Sequence, residues 1–482
     1  MNRPRFRSFF AAMVVALLLA TPVTAGQQLP ALGGASLDVV NSLEEKRLGR
    51  QFMRSARRQM DFSDDPEVNR YIRDLGNALV SSIGLSPDDF TFSVVNDPNL
   101  NAFAVPGGFI SVHSGLIAET ASESELASVI AHEIAHITQR HLPRMIARAK
   151  ERSLPAAAAM IAAILVGGQM GSAALVGANA ALAADQLQYS RDFEKEADAV
   201  GIRILASSGF EPAAMPAFFQ KLQKSSMLQA SDIPEYLRTH PLSVSRVADS
   251  EARVADYPAT TADSSDAYRL TRARVRALTS SEPERQAGYF ADIAAKGGPD
   301  SLAARYGEAI ARLQASQYAL AATLLDRLLA DSPGHLAARL AKGQVALRGG
   351  RVEEAASYFA VLYAEDKDDA VRAQYYAEAL IAAHDYSSAR KVLRRWQRND
   401  PANPHAWRLL SRVDGELGRR AESFQARAEY LALLFESKRA LDELDKAREY
   451  ARGDFYLTSS IDARARELRD ELVRFGENDD NR

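Results

Sequence analysis

Residues 127–141 read ASVIAHEIAHITQRH and hold three of the chain's eight histidines. Ser122, with Glu125 three residues on, is a capping-box signature, so a helix is predicted from Ser122 to about Arg140. A helix turns about 100° per residue, so His132 and His136 share a face one turn apart. Ionisable groups on a mostly apolar helix are costly to bury unless something pairs with them. The face is therefore either solvated or holds a cation. Two imidazoles at this spacing can reach one zinc ion at about 2.0–2.1 Å. Glu133, beside the first, is aimed close to the ion without having to bind it, where it can take a proton from an activated water.

A third ligand decides between the two readings. The pattern H-E-x-x-H-x-x-G-x-x-H would need His at 142 and Gly at 139, but the residues are Leu142 and Gln139. His141 is one position off, on the wrong side of an extended helix. The other source is SRDFEKEADAVG, residues 190–201, where Glu194 and Asp198 are four apart on one helical face. Glu194 can ligate, and Asp198 can hydrogen-bond a ligand or an active-site group. Glu196 faces elsewhere and reads as solvated.

Around this motif the chain changes character several times. Residues 38–82 read as charged amphipathic helices. Phe90–Val95 alternates like a strand, and Ala102–Val105 and Phe109–Val112 form a hairpin through Pro106, Gly107 and Gly108. The hairpin segment (Asn101, Ala102, Phe103, Gly107, Gly108) is a candidate edge strand for an extended peptide, a role compatible with ordinary sheet structure. Residues 153–184 carry no charge over 32 positions but are rich in Ala and interrupted by glycines. A helical hairpin is expected there, either buried in protein or in peripheral contact with a membrane surface; a span is the remaining alternative. His240 and Arg246 lie in RTHPLSVSR. His240 has three readings: an oxyanion stabiliser, an occupant of the fourth zinc position that holds the enzyme latent, or a structural loop histidine. His113, His141, His335, His384 and His405 read as structural or surface.

From about residue 300 the chain repeats. Tyr318, Val352 and Tyr386 are 34 apart, and the small residues Ala321, Ala355 and Ala389 keep that step. This region resembles a tetratricopeptide array of about four repeats, with a generic helical bundle as the alternative. Such arrays bury each repeat against its neighbours and commonly grip a peptide or partner protein.

Bulk properties limit the choices. The 482 residues suggest several domains, and a net charge of -3 gives no sign of nucleic-acid binding. Three arginines precede a 12-residue apolar run and a small-residue cleavage site after Ala25, which reads as a secretory signal peptide, with an uncleaved anchor as the alternative. The absence of cysteine leaves only His and carboxylates as metal ligands, and export without disulfides fits a bacterial periplasm.

HEIAH, SRDFEKEAD and the preceding NAFAVPGG together resemble the HtpX-like and CAAX-prenyl-protease-like zinc metallopeptidases. An exported copy with a C-terminal repeat array is similar to their periplasmic branch that assists β-barrel assembly. The resemblance implies one Zn2+ per chain held by His132, His136 and Glu194, with Glu133 as base and Asp198 as the motif aspartate after the third ligand. It implies unfolded or misassembled outer-membrane proteins as substrates and the barrel-assembly machinery as a partner of the array. A chaperone or assembly scaffold with little proteolysis is the alternative. The expected fold class is α+β, mainly α: a zincin-like metallopeptidase domain with a small β-sheet, followed by an all-α tetratricopeptide solenoid. The expected organisation is a signal peptide at 1–25, the metallopeptidase at 26–262, a helical connection at 263–299 and the repeats at 300–475.

Overall fold

A computed structural model describes residues 42–151, 180–228, 235–260 and 263–475. The expected signal peptide, and all but the last few residues of the charge-free segment, lie outside the described residues.

Helix α1 (Ser42–Gln59) leads to α2 (Pro66–Ser82). Asp65 caps α2 by accepting from the amides of Glu67 and Val68, with Pro66 at the first helical position. Strands β1 (Thr91–Val95), β2 (Ala102–Val105) and β3 (Phe109–His113) follow. They form a sheet of order β1-β3-β2, with β3 parallel to β1 and antiparallel to β2. The β2–β3 turn needs Gly107 and Gly108, whose φ values of 87° and 88° disfavour any side chain. A short helix α3 (Ser114–Glu119) then leads to α4 (Glu123–Thr138), which carries the histidine pair. Ser122 Oγ accepts from Glu125 N at 3.1 Å. The reciprocal bond of the capping box is displaced by one residue: the Glu125 carboxylate accepts from Ala121 N at 2.7 Å.

From Leu126 to Ala135 every residue of α4 is buried, packed on Val94, Ile110 and Val112 of the sheet and on Ile204 and Phe218. Helix α5 (His141–Glu151) follows, then α6 (Ala180–Ser207), α7 (Ala214–Leu228), α8 (Glu235–Thr239) and α9 (Val244–Val254). Gly201 of α6 permits close approach to α4: a Cβ there would meet the Met215 side chain at 2.7 Å and His132 N at 3.3 Å. That approach brings the preceding turns of α6, with Glu194 and Asp198, onto the histidine face.

The remaining elements are antiparallel helix pairs: α10 (Asp266–Thr279) with α11 (Pro283–Lys296), α12 (Ser301–Gln314) with α13 (Tyr318–Asp331), and α14 (Leu336–Arg348) with α15 (Val352–Glu365). They continue with α16 (Ala370–Ala382) and α17 (Tyr386–Asn399), α18 (Pro404–Glu416) and α19 (Arg420–Leu433), and α20 (Ser437–Tyr450) and α21 (Phe455–Arg474). The 34-residue step has a backbone signature: the turns between paired helices place Ser316, Gly350, His384 and Gly418 at φ of 58°, 79°, 58° and 71°. His384 thus stands in a left-handed turn position that glycine fills in the neighbouring repeats. Ala321, Ala355 and Ala389 are fully buried where paired helices touch.

First helices of five successive pairs converge on one short segment, residues 64–67, α12 only through Arg274. Arg274 of α10 bonds Asp65 at 2.7 Å, Glu67 at 3.1 Å, Tyr306 Oη at 2.8 Å, Gln344 Oε1 at 3.1 Å and Tyr375 Oη at 2.9 Å. Tyr375 Oη in turn donates to Glu67 at 3.0 Å. Arg408 bonds Asp64 at 2.7 Å, and Arg70 reaches Asp369 at 2.9 Å. The array therefore curves around the start of α2. Burial pushes the Glu67 carboxyl up, against the pull of Arg274.

Replacing Arg274 by methionine strands Asp65 and Glu67 without their cation and should cost about 3–5 kcal/mol in urea unfolding. Adding Glu67→Gln in the same chain should recover part of that loss.

Candidate metal centre

Helix α4 presents His132 and His136 with ring centroids 4.7 Å apart, both facing α6. His132, Glu133, Glu194, Asp198 and Arg246 are each less than 5% exposed. Ligand atoms of His132, His136, Glu194 and His240 all lie within 4.8 Å of one another. Five of the six separations fall between 3.0 and 3.4 Å. His132 Nε2 lies 3.0 Å from His136 Nε2, 3.3 Å from Glu194 Oε2 and 3.3 Å from His240 Nδ1. Glu194 lies 3.4 Å from His136 Nε2 and 3.1 Å from His240 Nδ1. Four donors at about 2.0–2.1 Å from a tetrahedral zinc are about 3.3 Å apart. Imidazole nitrogens and a carboxylate at these separations fit that ion.

The surroundings hold the group in place. Asp198 Oδ1 lies 3.1 Å from His132 Nδ1, whose N–H is not aligned for a good hydrogen bond. Arg246 grips Asp198 with two bonds of 2.7 Å, touches Glu194 at 3.0 Å and donates to Pro241 O at 3.0 Å. Its guanidinium also lies over Phe219, 5.0 Å from the ring centre. Arg246, which the sequence places in the same loop segment as His240, is thus engaged mainly with the two carboxylates behind the histidines.

Charge sets each group's state. Burial alone would lift the Glu194 carboxyl, but His240, Arg246 and His136 outweigh it and hold it well below the usual carboxylate range. Burial also lowers His132, yet contacts with Asp198 and Glu194 raise it to about 9. His136 is held well below the usual imidazole range, chiefly by burial, so it keeps a lone pair for a cation. Burial pushes Glu133 up, opposed by His240 and His132.

Glu133 meets both the sheet and the loop. The backbone of Ala104 in β2 lies near its carboxyl and helps to hold it down against burial, and His240 Nε2 lies 3.4 Å from its Oε1. The free edge of β2 therefore runs beside the site. Asn101 and Ala102 are buried at its start and Phe103 is half-buried, while Gly107 and Gly108 shape the turn beyond its end. Ala104, between the residues singled out by sequence, is the one whose backbone lies near Glu133. Tyr236 went unnoticed in the sequence. It stacks on His240 at 4.7 Å and donates its amide to Leu100 O at 3.1 Å, just ahead of β2.

Glu196 is the sequence reading that needs correction; His141 stays outside the group of four donors but lies closer to it than a straight helix allows. His141 is 2% exposed, with Nδ1 2.9 Å from Nδ1 of His136. Glu196 accepts from Arg144 at 2.9 Å and lies 3.3 Å from His141 Nε2, so it is no free solvated charge. Extrapolating α4 as a straight helix misplaced His141. Arg140 takes a φ of 53°, which ends the helix and folds the chain back toward His136. His113 is also buried, at 3.8 Å from Asp97. His335 accepts from Ala338 N at 3.2 Å to cap α14, and His405 lies 3.4 Å from Asp64.

Residues 66–254 match the sequence profile of peptidase family M48, and residues 306–370 and 346–413 match tetratricopeptide repeat profiles. The chain is 32% identical to the beta-barrel assembly-enhancing protease of Yersinia pestis, over 96% of this chain and 98% of that protein. It is 31% identical to the beta-barrel assembly-enhancing protease of Escherichia coli (strain K12), over 97% of this chain and 96% of that protein. The mitochondrial metalloendopeptidase OMA1 of Arabidopsis thaliana is 32% identical over 44% of this chain and 41% of its own length.

Arg246→Met leaves two buried carboxylates without their shared cation and should lower the stability of the metal-free protein by about 3–5 kcal/mol in chemical denaturation. Arg246→Lys keeps the charge but loses the planar two-point grip, and its loss should fall between wild type and methionine.

Proposed function

The chain belongs to peptidase family M48, and from that premise we propose that this zinc metalloendopeptidase works in the periplasm, degrading misfolded or stalled outer-membrane proteins and assisting their assembly. His132, His136 and Glu194 are the proposed ligands, supported by donor spacings of 3.0–3.4 Å. Zinc held there supplies a Lewis acid and lowers the pKa of water toward neutrality.

The chain's own residues do the rest. Glu133 is the proposed base: it takes a proton from the attacking water and passes it to the leaving nitrogen. A carboxyl lifted by burial suits a group that must both accept and return a proton. Asp198, held by Arg246, orients His132 from behind. An extended substrate is proposed to pair with the edge of β2 through backbone hydrogen bonds, which read little of its side chains. The approach of the Ala104 backbone to Glu133 carries this reading, since a strand added at that edge lies across the carboxylate.

His240 is the proposed plug of the fourth metal position. Its Nδ1 stands at ligand spacing from both His132 and Glu194. The array binds protein, and the barrel-assembly machinery is its proposed partner. Peripheral membrane contact is proposed for residues 153–184 on their sequence alone. No described helix is long and apolar enough to cross a membrane.

Purified protein should cleave an unfolded outer-membrane β-barrel protein. Glu133→Gln should reduce that rate by about 10²–10⁴-fold with zinc content unchanged; cleavage at the wild-type rate would remove Glu133 from the mechanism. His240→Ala should raise the rate if the histidine plugs the site. A fall in rate would assign it to oxyanion stabilisation instead.

A further inference from the structure

The second nitrogen of a metal-bound histidine fixes its tautomer and orientation through whatever it bonds. For His132 that nitrogen faces Asp198. For His136 no carboxylate stands there. Its Nδ1 lies 2.9 Å from Nδ1 of His141, whose Nε2 lies 3.3 Å from Glu196 Oε2. Two imidazole nitrogens at hydrogen-bond distance share one proton, so one donates and the other accepts. An ionised Glu196 only accepts, so His141 donates from Nε2. A neutral His141 then accepts at Nδ1, and His136 must donate from its own Nδ1. His136 Nε2 is left as a bare lone pair, and that is the atom 3.0 Å from His132 Nε2 and 3.4 Å from Glu194.

The relay is braced along its length. His141 stacks on Phe193 at 4.4 Å with rings 15° apart. Arg144 lies over the same ring at 4.5 Å and bonds Glu196 at 2.9 Å. Phe193 and Glu196 flank the ligand Glu194 in sequence, so one turn of α6 carries a ligand and the support for another ligand.

We infer that His141 and Glu196 are positioning residues for the metal, a hydrogen-bonded relay that orients His136 and keeps its Nε2 lone pair turned toward the ion. This rests on the zinc reading above. Packing alone does not require it: a phenylalanine at 141 would keep the stack on Phe193. Glu196 and Arg144 are each 30% exposed, where an ion pair adds little to stability.

The test is zinc affinity of the full chain, by competition with a chromogenic chelator, beside the melting of the metal-free protein. His141→Phe keeps the stack and cuts the relay, and should weaken zinc binding about ten- to hundredfold with metal-free melting unchanged. His141→Gln can accept from His136 and donate to Glu196, and should restore most of the affinity. Glu196→Gln should give a smaller loss than His141→Phe. Wild-type affinity in His141→Phe, or no recovery in His141→Gln, overturns the relay. A fall in metal-free melting that tracks the lost affinity also overturns it, since it assigns His141 to packing. A wild-type chain that holds no zinc overturns the metal reading and this inference together; variants that match a zinc-loaded wild type overturn this inference alone.

Discussion

The site depends on keeping carboxylates charged where water is scarce. Glu194 and Asp198 are 4% and 3% exposed, and a buried carboxylate without a partner takes up a proton or destabilises the fold. Arg246 meets that need for both at once. Because it also donates to Pro241 O, the same guanidinium ties down the loop that follows His240. One side chain therefore sets the residue behind His132, the proposed carboxylate ligand and the anchorage of a third imidazole. A lysine could neutralise one of these acids, but it lacks the planar fork that takes both oxygens of Asp198 while reaching Glu194.

A second buried arginine applies the same solution to a larger problem. Arg274 satisfies the cap of α2 and draws on tyrosine and glutamine side chains from three successive helix pairs. The cap residue Asp65 thus does two jobs. It starts α2, and it is a hub on which the repeats converge. Since α2 shares one core with the sheet and α4, the array is joined to the element that carries HEIAH through charged contacts and a common apolar interior. The inner face of the array, which in such solenoids commonly meets a partner, is partly taken by residues 64–67 of the same chain.

What was legible in the sequence was periodic or local. The His132–His136 face, the Ser122 cap, the hairpin through Gly107 and Gly108, and the 34-residue step all follow from spacing along one element. Glu194 and Asp198 were legible because two acids four apart share a face. The rest depended on chain reversals that spacing does not encode. His141 was misplaced by a single left-handed residue, Arg140. Arg274 reads as an ordinary arginine, and Arg246 groups with His240 rather than with Glu194 and Asp198, until distant acids are brought to them. The turn between α20 and α21 leaves the 34-residue step by one position: its left-handed residue is Gly453, not Arg452, so the last pair was legible only as a terminal helix.

Glu133 is where the sheet and the His240 loop meet. The Ala104 backbone approaches it from β2, and His240 Nε2 lies 3.4 Å away on the other side. Those two contacts are not independent, because Tyr236 stacks on His240 while its amide holds Leu100 at the start of β2. On the proposed roles, a His240 imidazole 3.4 Å from Glu133 crowds the space where this base would meet a water. A peptide laid along β2 would come to the same carboxylate that His240 occupies. Departure of His240 and arrival of substrate are then linked steps, joined through one carboxylate and one tyrosine, and latency needs no separate inhibitory element.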